Sequence, residues 1–187
     1  MKKIFIYPLI AISLFSCTPK GFENLGNGLY EHTYSGFDFP EKIGEFERTP
    51  IQIYDYTGKN VGIGYQIRTP DCNITFTMYV YPANDLSLEE EFKKVEMAIR
   101  QYRQNVKLLS EESVYYIQDS LRIKGKEANY KFSQKIKETN IAFFSQADLF
   151  KYQSNFIKYR ITYPVFHQNC AGEKINELLE KLKWNIK

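Results

Sequence analysis

Two histidines and three cysteines are what the 187 residues offer to the commonest nucleophilic and metal chemistries: His32, His167, Cys17, Cys72 and Cys170. His167 and Cys170 are three residues apart, the one spacing that could set a thiolate beside a base. No third residue stands near them in sequence to orient the imidazole, as a nucleophile–base pair requires. A serine triad would have to recruit one of the same two histidines, and no G-x-S-x-G elbow occurs. Zinc signatures fail as well, because there is neither H-E-x-x-H nor C-x-x-C. Gly62-Ile63-Gly64 lacks the further glycine and lysine of a phosphate-cradling loop. Glu111-Glu112 is an adjacent carboxylate pair, read here as a solvated turn between a helix and a strand. The expectation is no catalytic residue, no metal site and no cofactor.

Cys17 has a different context. Met1-Lys2-Lys3 is a short basic start, and Ile4 to Phe15 is a twelve-residue apolar run. That combination reads as an export signal. As a helix the run would span ~18 Å against a hydrocarbon core of ~30 Å, so a permanent transmembrane helix is not expected. Pro8 interrupts it further. The run closes on Leu14-Phe15-Ser16-Cys17, which resembles the lipobox of bacterial lipoproteins: an aliphatic residue, a variable one, a small one, then Cys. The resemblance implies that Cys17 is diacylglycerated, that a signal peptidase removes residues 1–16, and that the new amino terminus is acylated. Thr18 rather than Asp follows the cysteine, which in Gram-negative sorting implies transfer to the outer membrane, facing the periplasm. Membrane lipid, through acylated Cys17, is then one partner. Each buried methylene is worth about 0.8 kcal/mol, so two or three chains anchor stably where one holds only reversibly. The Asn73-Ile74-Thr75 glycosylation triplet is accidental in a bacterial protein.

The charge balance agrees with a body that seeks no polyanion. There are 25 basic and 22 acidic residues, a net +3, and loss of Lys2 and Lys3 with the signal leaves +1. No electrostatic ground for a nucleic-acid partner exists at that value. Lys93-Lys94 and the run from Arg122 to Lys126 read as solvated faces. With Cys17 committed to lipid, Cys72 and Cys170 remain, in a compartment where disulfides persist. They admit three states: a bridge, two free buried thiols, or a thiol site using His167 with Cys170. The bridge is the expectation; closing a loop of roughly a hundred residues is worth about 4–5 kcal/mol in the chain-entropy model.

The elements that must position these groups follow from pattern. An apolar fraction of 43% with 25% charged residues is ordinary globular composition, and fifteen Tyr and fourteen Phe against one Trp favour sheet. Residues 17–38, rich in Gly and Asn, read as the lipidated cysteine and a tether whose aromatic second half packs on the body. Residues 39–187 read as one domain. Ile51 to Tyr56 and Val61 to Ile67 read as strand, turn, strand. In the second, Gly62 and Gly64 leave room for an aromatic ring or another backbone. Ile74, Phe76, Met78 and Val80 alternate with Thr75, Thr77, Tyr79 and Tyr81, so the first set faces a core. The second set is solvent-facing, covered by another layer, or a binding platform. Ser87-Leu88-Glu89-Glu90 is a capping box opening a helix with an apolar stripe from Leu88 to Val106. Strands are expected at Ser113 to Gln118 (extending to Ile123), Ala128 to Ile136, Ile141 to Phe150 and Phe156 to Tyr163. Gly125-Lys126 is expected as a connection, and Glu173 to Lys183 as a closing helix.

The fold class is therefore α+β: a mainly antiparallel sheet of about seven strands, with a central helix and a C-terminal helix packed on it. This order, with Tyr-Pro ending strands at Tyr81-Pro82 and Tyr163-Pro164, resembles the PsbP-like fold of extracytoplasmic accessory proteins. The resemblance rests on element order and implies no functional residue. The functional expectation is a lipid-anchored, non-enzymatic envelope module that binds an envelope protein or cell-wall ligand, with Tyr79 and Tyr81 as the binding residues. The alternative is an envelope hydrolase or thiol-dependent enzyme using His167 and Cys170.

Overall fold

The computed structural model of the chain describes residues 18–103 and 105–184; residues 1–16, read above as an export signal, and Cys17 lie outside the described residues. Twelve strands and two helices occur in the described part. Phe22–Gly26 (β1), Leu29–His32 (β2) and Phe37–Phe39 (β3) form a small antiparallel sheet. Then come Lys42–Ile43 (β4), Phe46–Arg48 (β5), Gln52–Ile53 (β6), Val61–Arg68 (β7) and Asn73–Pro82 (β8). Helix α1 (Leu88–Tyr102) leads to Lys107–Gln118 (β9), Leu121–Ile136 (β10), Thr139–Tyr152 (β11) and Asn155–Pro164 (β12). A single 3₁₀ turn, Val165–His167, feeds α2 (Gln168–Lys181).

The main sheet has nine antiparallel strands in the order β4-β5-β7-β8-β12-β11-β10-β9, with β6 also paired to β7. After α1 the chain starts again at the far edge with β9, and the β9–β12 meander walks back until β12 lies beside β8. Residues 73 or more positions apart thus meet at the centre, with Lys158 opposite Tyr79 and Tyr159 opposite Met78.

Each face of the sheet carries a helix. On one, Ile63, Tyr65, Phe76, Met78, Ile157 and Tyr159 pack with Ala171, Leu178 and Leu182 of the α2 region and with Trp184. On the other, Ala128, Tyr130, Ala147, Leu149 and Phe156 pack with Phe92, Val95 and Ile99 of α1. The capping box at the start of α1 is formed: Ser87 Oγ accepts from the Glu90 amide at 3.2 Å, and the Ser87 amide donates to Glu90 Oε2 at 2.9 Å. The helix stops short of the expected Val106. Arg103 is already extended, and Asn105 takes φ 54°, in the left-handed region that breaks a helix.

Five expectations change. The segment read as a tether folds, because Phe22, Phe37 and Phe39 are buried and Gly26, Asn27 and Gly28 take positive φ to turn β1 into β2. The boundary placed at residue 38 falls inside β3. The strand total exceeds seven, since the short strands β1–β6 are too brief for period-two alternation to declare them. Gly125-Lys126 is no connection but the middle of β10, and the hairpin turn is at Asp119-Ser120, where Asp119 takes φ 52°. A glycine is needed at 125 for space: a Cβ there would lie 2.4 Å from the Phe150 ring. Glu111 and Glu112 likewise sit within β9, where Glu111 pairs with Lys126 at 2.9 Å.

Candidate functional site

Strand alternation sends Tyr79 and Tyr81 of β8 to the α1 side, and the β8–β12 register sets Lys158 opposite Tyr79 and Arg160 opposite Thr77. The opposite neighbours of Tyr79 and Thr77 on β7 are Gly62 and Gly64. Without side chains there, the face is lowered and Tyr54 can lie over it. A Cβ on Gly62 would stand 3.0 Å from the Tyr54 ring and 3.2 Å from that of Tyr79. Gly62 therefore does what its sequence position suggested, admitting an aromatic ring.

The result is a groove between α1 and the 54–60 loop, made of two adjoining hollows of about 420 and 350 Å³ that share Tyr54, Tyr79 and Lys158. The larger one continues past Arg160 to Tyr102 and Arg103 at the end of α1. The smaller one ends at Asn60, Tyr81 and Glu91. Tyr54 and Tyr79 have ring centroids 6.1 Å apart. The Lys158 ammonium is 4.2 Å from the centre of the Tyr79 ring and 5.6 Å from that of Tyr81. Tyr81 donates its hydroxyl to Glu91 Oε1 at 2.9 Å. Tyr79 and Tyr81 are both half-buried. They form neither an open platform nor a sealed layer: Tyr81 is tied into the α1 contact, while Tyr79 floors the groove.

The electrostatics of the groove are unbalanced. Burial pulls the Lys158 ammonium below the usual lysine range, Glu91 partly opposes this, and Arg160 reinforces it. Burial, with help from Arg103, pulls the Arg160 guanidinium down to about 10, so it is still charged at neutral pH. Neither Lys158 nor Arg160 makes an ion pair or hydrogen bond to another side chain among the described residues; Lys158 sits over tyrosine rings, and Glu91 acts on it only at longer range. Arg103 at the rim is better held, stacking 4.8 Å from the Phe132 ring and donating to Gln134 Oε1 at 3.0 Å. Cations half-removed from water with no carboxylate in ion-pair contact are costly to keep, and a bound anion would offset that cost.

The thiol–imidazole pair is not assembled. Cys72 and Cys170 have Cα atoms 6.0 Å apart and sulfurs at disulfide distance. His167 accepts the Asn73 amide on Nδ1 at 3.1 Å and its Nε2 faces the Pro70 carbonyl at 3.1 Å. Both ring nitrogens thus pin the start of α2 to the turn that carries Cys72. His32 is buried, between Ser35 Oγ at 2.7 Å and the Gly58 carbonyl at 2.8 Å, and burial lowers its pKa.

A second polar group, unforeseen in the sequence, lies on the α2 face. Asp148 on β11 is 5% exposed and faces Glu127 across the ladder to β10. Gln146 Nε2 donates to both Asp148 oxygens, at 3.0 and 3.1 Å, and to Glu127 Oε2 at 3.1 Å. Burial, opposed by Gln146 and reinforced by Glu127, pushes Asp148 up to about 7. These side chains line a cavity of about 490 Å³ that also meets Tyr116, Phe150 and Leu179. The signal that could have found them is the alternation of Gln146 and Asp148 with Ala147 and Leu149 in a strand covered on both sides.

No family description matches the sequence, and no curated protein does. Among solved structures, the chain is similar to the solution structure of cyanobacterial PsbP (CyanoP) from Synechocystis sp. PCC 6803. The similarity covers 90% of this chain and 96% of that one, at 11% identity and a TM-score of 0.47. At that level the likeness concerns the path of the backbone alone.

Proposed function

We propose that the chain is a lipid-anchored, non-enzymatic binding module of a bacterial cell envelope, tethered through acylated Cys17, that engages an envelope protein or cell-wall ligand through the Tyr79 groove. The observation that carries the binding half is the pair of half-buried cations Lys158, set over the Tyr79 and Tyr81 rings, and Arg160, neither in an ion pair within the described residues. Rigid tyrosines with few torsions supply contact area at low entropic cost, and half-buried cations supply orientation. The reading of Cys17 rests on the basic start, the apolar run and Leu14-Phe15-Ser16-Cys17. A bridge between Cys72 and Cys170 suits the same oxidising compartment.

Its test has two arms. Cys17→Ser should abolish metabolic labelling by palmitate and leave unprocessed precursor, because the peptidase acts on the diacylated cysteine. Mature, membrane-bound protein from that variant would end the anchoring hypothesis. Tyr79→Ala should weaken crosslinking to envelope components at unchanged melting temperature, and undiminished crosslinking would end the binding hypothesis.

A further inference from the structure

The groove has a polarity along its length. Arg160 and Arg103 stand at one end, Lys158 at the middle, and Glu91 at the other end with Asn60 beside it. A single small oxyanion would fill one hollow and leave the other empty. A uniform polyanion would be drawn to the arginines and repelled where it passes Glu91. An extended peptide that carries its acid at one end and neutral or donor groups at the other satisfies both ends. The walls suit it too, since Tyr54 and Tyr79 present ring faces that accept backbone and side chains of many kinds. Gly62 lets Tyr54 and Tyr79 settle close to β7, so that their rings form the surface a main chain would lie against.

We propose that the groove takes an extended, acidic peptide segment of a partner protein, its carboxylate seated between Lys158 and Arg160 and its remaining residues running over Tyr79 toward Glu91. This rests on the binding-module reading and names its ligand. The occupant is fixed by charge complementarity: neither half-buried cation makes an ion pair within the described residues, and Glu91, the acid that acts on Lys158 from the far end, already accepts from Tyr81 and lies 3.5 Å from Lys94. The Lys158–Arg160 spacing along β12, two residues on one face, puts both cations on the same side of any carboxylate entering from α1.

The experiment is fluorescence anisotropy on the purified full-length chain. One probe is a labelled octapeptide carrying two adjacent Glu residues at one end and Gly-Ser-Lys at the other; a matched peptide has Gln for Glu. The Glu peptide should bind, the Gln peptide at least about ten-fold more weakly, and the preference should shrink as salt rises through the range that screens charges. Arg160→Gln should cost at least about ten-fold at unchanged melting temperature, Arg160→Lys less, and Arg122→Gln on β10, outside the groove, nothing. If Arg160→Gln fails to fold, Arg103→Gln at the rim carries the test, with a several-fold loss expected. Equal binding of the two peptides, or no loss in the arginine variants, overturns the proposal. Inorganic phosphate binding as tightly as the peptide, with the same dependence on Arg160, overturns the peptide occupant in favour of a small-oxyanion site. No binding of either peptide overturns the ligand class, while crosslinking lost in Tyr79→Ala would leave the binding-module reading standing.

Discussion

Asp148 should make the protein less stable as pH rises, and Asp148→Asn should remove that dependence. The carboxyl is almost wholly buried, accepts from one side chain, and faces Glu127 across the β10–β11 ladder. Its folded value is pushed up from 3.8 to about 7. The folded state therefore holds the proton more tightly than the unfolded chain. The stability it brings is full below pH 3.8 and is lost as pH rises through about 7. At about 1.4 kcal/mol per pH unit between the two values, the whole loss is about 4 kcal/mol, and about 2–3 kcal/mol of it falls between pH 5 and pH 8. Asn keeps an acceptor for Gln146 and cannot ionise, so any fixed cost of the substitution is the same at every pH. His32, which burial makes harder to protonate, acts in the opposite sense as pH falls, but it is present in both proteins and cancels in their difference. Urea titrations and thermal melts followed by circular dichroism at pH 5 and pH 8 would measure it. The stability of Asp148→Asn relative to the parent should increase by about 2–3 kcal/mol from pH 5 to pH 8, or about 5–10 °C in melting temperature for a chain of this size. A relative stability that is flat across that interval, or that rises toward acid, would refute the reasoning.

Two further outcomes follow from packing and connectivity. After thiol blocking without reductant, mass spectrometry should recover a peptide joining Cys72 to Cys170, and reduction should cost about 4–5 kcal/mol in the chain-entropy model for residues 98 apart; two alkylated free thiols would contradict this. Gly125→Ala should lose about 1–3 kcal/mol in chemical denaturation, because the added methyl meets the Phe150 ring and the Leu149 carbonyl within a full ladder.

What the sequence made legible was whatever a single strand or helix states by itself. The alternation of Ile74, Phe76, Met78 and Val80 is buried as expected, at 1% exposure or less. The capping box at Ser87 opens α1 where the pattern placed it. Short strands were not legible. Two residues at β4 or β6 carry no period, and their pairing to β5 and β7 is too brief for alternation to declare it. The glycines of residues 21–36 look like those of a linker because turn glycines and linker glycines have the same composition. Only Phe22, Phe37 and Phe39 mark the difference, by being too apolar to leave in water. Gly125 misled for a related reason, since a glycine required by a ring packed against it has the same one-letter signature as one required by a turn.

The candidate groove was half legible for the same cause. Tyr79 and Tyr81 could be placed on one face of β8 from their own spacing, but the cations that give that face its chemistry come from β12, 79 residues further on in the case of Lys158 and Tyr79. Period-two alternation says which residues of a strand share a face; it does not say which strand lies beside it or in what register. That register depends on the β9–β12 meander returning to the centre of the sheet, a choice made by the burial of Ile157, Tyr159 and Ile161 against α2 and Trp184 on the opposite face. Once those three are committed to that side, Lys158 and Arg160 have no choice but to point toward α1. The cationic floor of the groove is thus enforced from behind, by the core, and a one-residue slip of β12 would bury charge in the aromatic cluster and empty the groove floor of Lys158 and Arg160 at once.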